Sequence, residues 1–171
     1  MKCLIVVDFQ NDFITGSLGT KEAQNIVENV QAKIQEYVDK EDKVIFTRDT
    51  HFKNYLQTNE GKHLPVEHCL YGTKGWQIHS EVYQDECVCI DKSTFGSIEL
   101  AIYIKEHGFD EIELIGLCTS ICVVTNALLI KTYNSNIEVT VDASCCACVT
   151  PESHEAALTT MKMCQINVIG E

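Results

Sequence analysis

Six short apolar runs punctuate this chain, and their spacing leaves few folds open to it. They are Cys3–Val7, Val44–Thr47, Cys87–Ile90, Ile112–Ile115, Ile137–Val141 and Ile166–Ile169. The first is continuously apolar, as a strand covered on both faces requires. Between the runs, apolar residues recur at helical spacing. Ile26, Val27, Val30, Ile34, Tyr37 and Val38 form one such face, and Ile98, Ala101 and Ile102 a second, between a Ser97 cap and a Gly108 stop. Val123, Val124, Ala127, Leu128 and Ile130 form a third, and Thr150-Pro151 opens a last helix to about Met163. Strands alternating with helices predict an α/β fold: a three-layer, doubly wound, mostly parallel six-stranded sheet with helices on both faces. At 171 residues the chain reads as one domain, 1–171, long enough to bury a full core.

In such folds ligands bind beyond the carboxyl ends of the strands. Asp8, Asp49, Lys92 and Cys122 each follow a strand closely, so residues far apart in sequence converge on one rim. No glycine-rich phosphate loop follows the first strand, which argues against a nucleotide-binding enzyme. The net charge of −12, from 25 acidic and 13 basic residues, argues against nucleic acid or an anionic membrane as partner. The first apolar run is too short for a signal peptide or a membrane span, which predicts a cytoplasmic protein. The ten cysteines are then expected to be mostly reduced. Cys145, Cys146 and Cys148 are expected to crowd one loop. Cys145-x-x-Cys148 has the form of a redox or zinc half-motif, but no second pair at zinc-ribbon spacing follows it, and packed thiols explain it as well.

The stretch from Ile115 to Val123 carries the most chemistry. A strand ends, Gly116 turns the chain, and Cys122 falls in the first turn of a helix. There the macrodipole favours a thiolate, and unpaired backbone N–H groups can receive an oxyanion. A buried cysteine is more often packing than nucleophile, so Cys122 needs partners. Asp8 supplies a carboxylate that can take the thiol proton and return it to a leaving amine, and Lys92 an ammonium that stabilises both.

The segment between the second and third strands, about 48–86, has only weak helical patterning, and loops of that length are usually functional. It holds four of the six histidines, His51, His63, His68 and His79, together with Trp76. Asp49-x-His51 on an extended segment points a carboxylate and an imidazole to one side. With Glu60 and His68 they make an N/O donor set suited to Zn, Mn or Fe; His63 is a rival for His68, and His79 a weaker one.

Val-Val-Asp8-x-Gln-Asn-Asp-Phe13, Thr47-Arg-Asp49-Thr-His51, Asp91-Lys92-Ser-Thr-Phe95 and Gly116-Leu-Cys-Thr-Ser-Ile-Cys122-Val together resemble the isochorismatase-like cysteine hydrolases, and most closely their nicotinamidase branch. The resemblance covers essentially the whole chain. It implies Cys122 as nucleophile, Asp8 as general base and acid, and Lys92 as third member of the triad. It also implies a cis peptide at Leu117–Cys118 that aims the Cys118 N–H, with that of Cys122, at the substrate oxygen. A divalent metal, zinc first with manganese or iron as alternatives, is implied at Asp49, His51, Glu60 and His68, with Phe13 against the substrate ring. The implied reaction is hydrolysis of nicotinamide to nicotinate and ammonia through a Cys thioester, a step of NAD salvage, in a protein able to form homo-oligomers. Two other readings stay open: a metal-independent relative acting on another small amide, and a non-catalytic binding module. Two departures from the family pattern are Ser120, where many members have Asp, and His63-Leu64-Pro65-Val66, where many nicotinamidases have a Trp.

Overall fold

A computed structural model describes residues 1–85 and 87–171; Glu86, the expected end of the long segment, lies outside the described residues. The strands are β1 (Lys2–Val7), β2 (Lys43–Asp49), β3 (Val88–Lys92), β4 (Glu111–Leu117), β5 (Glu138–Ala147) and β6 (Asn167–Ile169). They form one sheet in the order β3-β2-β1-β4-β5-β6, and every pairing is parallel. The helices are α1 (Asn11–Ile14), α2 (Lys21–Asn25), α3 (Val27–Asp39), α4 (Asn59–His63), α5 (Ile98–His107), α6 (Val124–Tyr133) and α7 (Pro151–Met163).

Side chains of β1 alternate between two cores. Cys3, Ile5 and Val7 face α5, α6 and α7, while Leu4 and Val6 face α3. This is the doubly wound, three-layer arrangement. The strand order reverses direction between β1 and β4, and there the crevice beyond the strand ends opens. Gly116 sits opposite Val7 at this seam. Its φ of 114° suits glycine, and a Cβ there would come 2.2 Å from the Val7 carbonyl oxygen.

Several local expectations are corrected. The first helical pattern is broken at Ile26, where α2 ends and α3 begins. In α5 the buried face is Leu100, Ala101 and Ile104, leaving Ile98 and Ile102 exposed. Strand β5 continues well past Val141, so Cys145 and Cys146 belong to a strand and not to a loop. The register jumps there from Leu114↔Val141 to Gly116↔Cys146, an irregularity that lets β5 bend and still pair at both ends. Ser97, Thr150 and Gly108 do cap their helices, the last with left-handed backbone. No helix among the described residues is long and apolar enough to cross a membrane.

Candidate active site and metal centre

Asp8 follows β1, Lys92 ends β3, and Cys122 lies beyond β4. All three are buried, Asp8 completely. Lys92 Nζ is 2.6 Å from Asp8 Oδ2, donates to Cys122 Sγ at 3.5 Å, and donates to the Thr94 carbonyl at 3.0 Å. Thr47 Oγ1 donates to Asp8 Oδ1 at 2.7 Å and accepts the Asp8 N–H at 3.1 Å. Asp8 has a positive φ of 46°, so a neighbouring strand's hydroxyl holds a carboxylate whose own backbone is outside the ordinary strand region.

The electrostatics weigh against the pull of the helix dipole toward a thiolate. Burial, and then the Asp8 charge, push the Cys122 thiol well above its ordinary value; Lys92 opposes them without prevailing. A helix dipole contributes about 0.3–1 kcal/mol, which desolvation of a buried anion outweighs. Cys122 therefore rests as a thiol beside its base. Burial also raises Asp8, with Lys92 pulling the other way. Lys92 is itself raised: its burial works against the charge, and Asp8, Cys122 and Asp49 together more than offset that. The local helix differs too, because a π turn over Thr119–Val123 precedes α6 and carries Cys122. Asn126, fully buried, ties this turn to the loop after β3: it donates to the Cys122 and Phe95 carbonyls and accepts the Ser97 N–H. The Leu117–Cys118 peptide is cis.

Asp49, His51, Glu60 and His68 meet beside the Asp8–Lys92–Cys122 group, with Asp49 Oδ1 3.6 Å from Lys92 Nζ. Their nearest donor atoms all lie within 4.8 Å of one another. His51 Nε2 is 2.9 Å from Asp49 Oδ2 and 3.6 Å from Glu60 Oε1, and His68 Nε2 is 3.4 and 3.7 Å from the same two oxygens. Tetrahedral ligands at about 2.0–2.2 Å from an ion stand roughly 3.3–3.6 Å apart, so the spacing fits one. His68 Nδ1 lies 2.8 Å from the Val66 carbonyl, which makes it the protonated nitrogen and turns the Nε2 lone pair toward the two carboxylates. That lone pair needs a proton or a cation between it and them. Burial works against protonation of His68, yet Asp49 and the Val66 carbonyl leave it net raised. Burial raises Asp49 as well, and the bonds from His51 and His68 bring it below the ordinary carboxylate range. Two imidazoles and two carboxylates converging with this polarity fit a divalent cation. His63 turns back to its own helix at the Asn59 carbonyl and His79 bonds Asn11, so neither joins the cluster.

Sequence reasoning missed the residues that hold the long segment in place. The Gln10 side chain pairs with both the N–H and the carbonyl of Asp49, at 2.7 and 2.9 Å, and reaches the Trp76 carbonyl at 2.8 Å. Asp12 accepts the Cys69 N–H at 2.8 Å, and Asn11 donates to the Lys74 carbonyl. Tyr55, fully buried, packs its ring 4.6 and 5.0 Å from those of His51 and His68. The signal for Gln10, Asn11 and Asp12 was their position in one motif with Asp8; nothing marked Tyr55 or Asn126.

One cavity of about 340 Å³ is lined both by Asp49, Glu60 and His68 of the donor cluster and by Cys118 and Cys122. Phe13 forms part of the wall, its ring 5.6 Å from that of His68. The isochorismatase domain family matches residues 2–170. Among curated sequences, an uncharacterized isochorismatase family protein of Bacillus subtilis (strain 168) is 26% identical, covering 92% of each chain. The nicotinamidase of Saccharomyces cerevisiae is 24% identical, covering 100% of each. The crystal structure of a pyrazinamidase of Pyrococcus horikoshii in complex with zinc superposes with a TM-score of 0.87 at 27% identity, covering 99% of each chain. Fold, full-length match and shared rim agree, and the chain belongs to the isochorismatase family of hydrolases.

Proposed function

We propose that this hydrolase cleaves nicotinamide to nicotinate and ammonia through a covalent thioester on Cys122. The observation that carries the reading is that Cys122, backed by Asp8 and Lys92, and three of the four clustered donors, Asp49, Glu60 and His68, line one largely apolar cavity. That cavity has room for a single aromatic ring with a polar group at each end. The nicotinamidase name of the yeast relative and the zinc in the archaeal pyrazinamidase support it.

Because Cys122 rests as a thiol, its proton moves to Asp8 as the sulfur attacks the carboxamide carbon. Lys92, 2.6 Å from Asp8 and 3.5 Å from Cys122, keeps base and nucleophile adjacent and steadies the anionic charge they exchange. The carbonyl oxygen becomes an oxyanion facing the Cys118 and Cys122 N–H groups. As the C–N bond breaks, Asp8 returns the proton to nitrogen and ammonia leaves. Asp8 then takes a proton from water, the hydroxide adds to the thioester, and collapse releases nicotinate with the sulfur reprotonated. A divalent ion held by Asp49, His51, Glu60 and His68 supplies a Lewis-acidic point for the pyridine nitrogen and so orients the ring. Phe13 and the apolar wall exclude water from around it.

The test is ammonia release from a panel of small amides by zinc-loaded protein. Nicotinamide and pyrazinamide are expected to be turned over well above aliphatic amides. Equal or better turnover of an amide without a ring nitrogen overturns the substrate assignment and leaves the hydrolase chemistry standing.

A further inference from the structure

Three thiols border the substrate cavity, Cys118, Cys122 and Cys148, and the hydrolysis above uses one sulfur. Strands β4 and β5 pair in parallel up to Leu117 opposite Ala147, and Cys118 and Cys148 are the residues that follow the two strand ends. Parallel strands lie about 4.7–4.9 Å apart, so the segments carrying the two cysteines leave the sheet side by side, near the roughly 4.4–6.8 Å Cα separation that a disulfide spans. The two sulfurs already perturb each other's ionisation. Cys148 Sγ also lies 2.9 Å from Ser120 Oγ and 3.2 Å from Ser153 Oγ.

This arrangement divides the labour of a redox pair. The Cys118 thiol, with the Ser120 and Ser153 hydroxyls, lowers Cys148 to about 4 against the effect of its burial, while its contact with Cys148 and its own burial keep Cys118 protonated. The two thiols follow neighbouring strand ends and both line the cavity, so an activated sulfur has beside it a second that can resolve it. Cys122, raised by burial, lacks that activation. The sequence pair Cys145-x-x-Cys148 is not the relevant one. Cys145 packs into the α3-side core, and its nearest polar contact is Ser144 at 3.8 Å.

We propose that Cys148 and Cys118 form a hydroperoxide-sensitive dithiol in the wall of the substrate cavity, whose closure to a disulfide reversibly switches hydrolysis off. The Cys148 thiolate attacks a hydroperoxide oxygen, the O–O bond breaks, and the departing hydroxide takes a proton to become water. Cys148 is then a sulfenic acid. The Cys118 sulfur attacks that sulfur, the S–O bond breaks, and the Cys118 proton leaves with the hydroxide as a second water. Two thiols lose two electrons, and one hydrogen peroxide is reduced to two waters. A small dithiol reverses the change by exchange. A disulfide draws its sulfurs to about 2.05 Å, so the wall carrying the Cys118 N–H must shift, and that N–H is one of the two oxyanion donors in the proposed mechanism.

The experiment exposes full-length, zinc-loaded protein to hydrogen peroxide, stops the reaction with catalase, and follows intact mass, a non-reducing digest and amide hydrolysis. The unmutated protein is expected to lose two hydrogens in mass, yield a linked Cys118–Cys148 peptide pair, and lose activity roughly tenfold or more, with recovery in dithiothreitol. Cys148→Ser is expected to keep its own starting activity through the same exposure. Cys118→Ser is expected to hold a sulfenic acid at Cys148 that dimedone labels. First labelling at Cys122, absence of the linked peptide, or equal inactivation of Cys148→Ser and unmutated protein each overturns the proposal. The mass and peptide measurements stand even where no tested amide is hydrolysed, so a failed substrate assignment is told apart from a failed switch.

Discussion

The Asp8–Lys92–Cys122 group and the donor cluster border one cavity but are positioned by different means. Asp8 and Lys92 stand at the ends of two parallel strands flanking β2, and Cys122 on the turn after β4, so the backbone ladders of the central sheet set their separations. Of the four metal-site donors, Asp49 alone belongs to a strand. His51 is joined to the rest by an isolated bridge to Leu70, Glu60 rides on a five-residue helix, and His68 lies in irregular chain. This half depends on side-chain bonds from Gln10, Asn11 and Asp12 and on scattered backbone bonds outside the sheet. A ladder spreads positioning over many bonds, whereas a loop concentrates it in a few. Lys92 is the link between them, 2.6 Å from Asp8 and 3.6 Å from Asp49.

The sharpest test of this division is Cys122→Ala. It is expected to lower turnover by at least about 10³-fold, measured as ammonia release, while the thermal unfolding transition and bound metal persist. Metal lost along with activity would mean that the two halves are one cooperative unit.

Asp8→Asn comes next, with an expected loss of about 10²–10⁴-fold in kcat, since Asn cannot accept the thiol proton in either half-reaction. Asp12→Asn is expected to lose less, and chiefly in metal retention, because Asp12 touches the loop at Cys69 and not the nucleophile. The reverse order of losses would move the base assignment to Asp12.

His51→Ala, or prolonged chelation of unmutated protein, is expected to suppress nicotinamide hydrolysis while Cys122 still reacts with iodoacetamide at a rate within a few-fold of the metal-loaded protein. Peptide mapping of the alkylated protein reads this directly, and a Cys122 that became inert on chelation would show that the loop shapes the triad.

The smallest effect is expected for Glu60→Ala. Its side chain is the most exposed of the four donors, at 18%, and its oxygen stands farther from both imidazoles than that of Asp49. If Glu60 ligates directly, metal content after dialysis falls as far as in His68→Ala; an outer partner costs about 10–100-fold in affinity and falls short of that. Full occupancy in Glu60→Ala removes Glu60 from the site.

The two halves were also unequally legible. Asp8, Lys92 and Cys122 could be found because each follows an apolar run, and strand ends of a parallel sheet share one rim. Asp49 and His51 were found by the same reasoning. Glu60 and His68 were assigned through resemblance, since no periodicity places residues of a loop and His63 competed on equal terms. What separates His63 from His68 is a tertiary fact: His63 bonds its own helix and is exposed, while His68 is closed in by Tyr55, Phe13 and the Val66 carbonyl. How strongly Cys122 holds its proton was illegible in sequence for a related reason. A helix start is visible in sequence, but burial is a property of everything packed around it, and here it outweighs the dipole.

The sequence by itself determined the layered fold, because apolar runs and helical faces alternate and only a parallel sheet covered on both sides buries them all. It also determined which chemistries the rim can host, since residue types at strand ends are local facts. Tertiary structure alone decided the continuation of β5 past Val141, the seating of Cys148 against Ser120 and Ser153, and the anchoring of the long segment by Gln10, Asn11 and Asp12. Each of these depends on register between strands or on bonds between residues tens of positions apart. Local patterning encodes which face a residue prefers, and carries no record of which distant residue will stand opposite it.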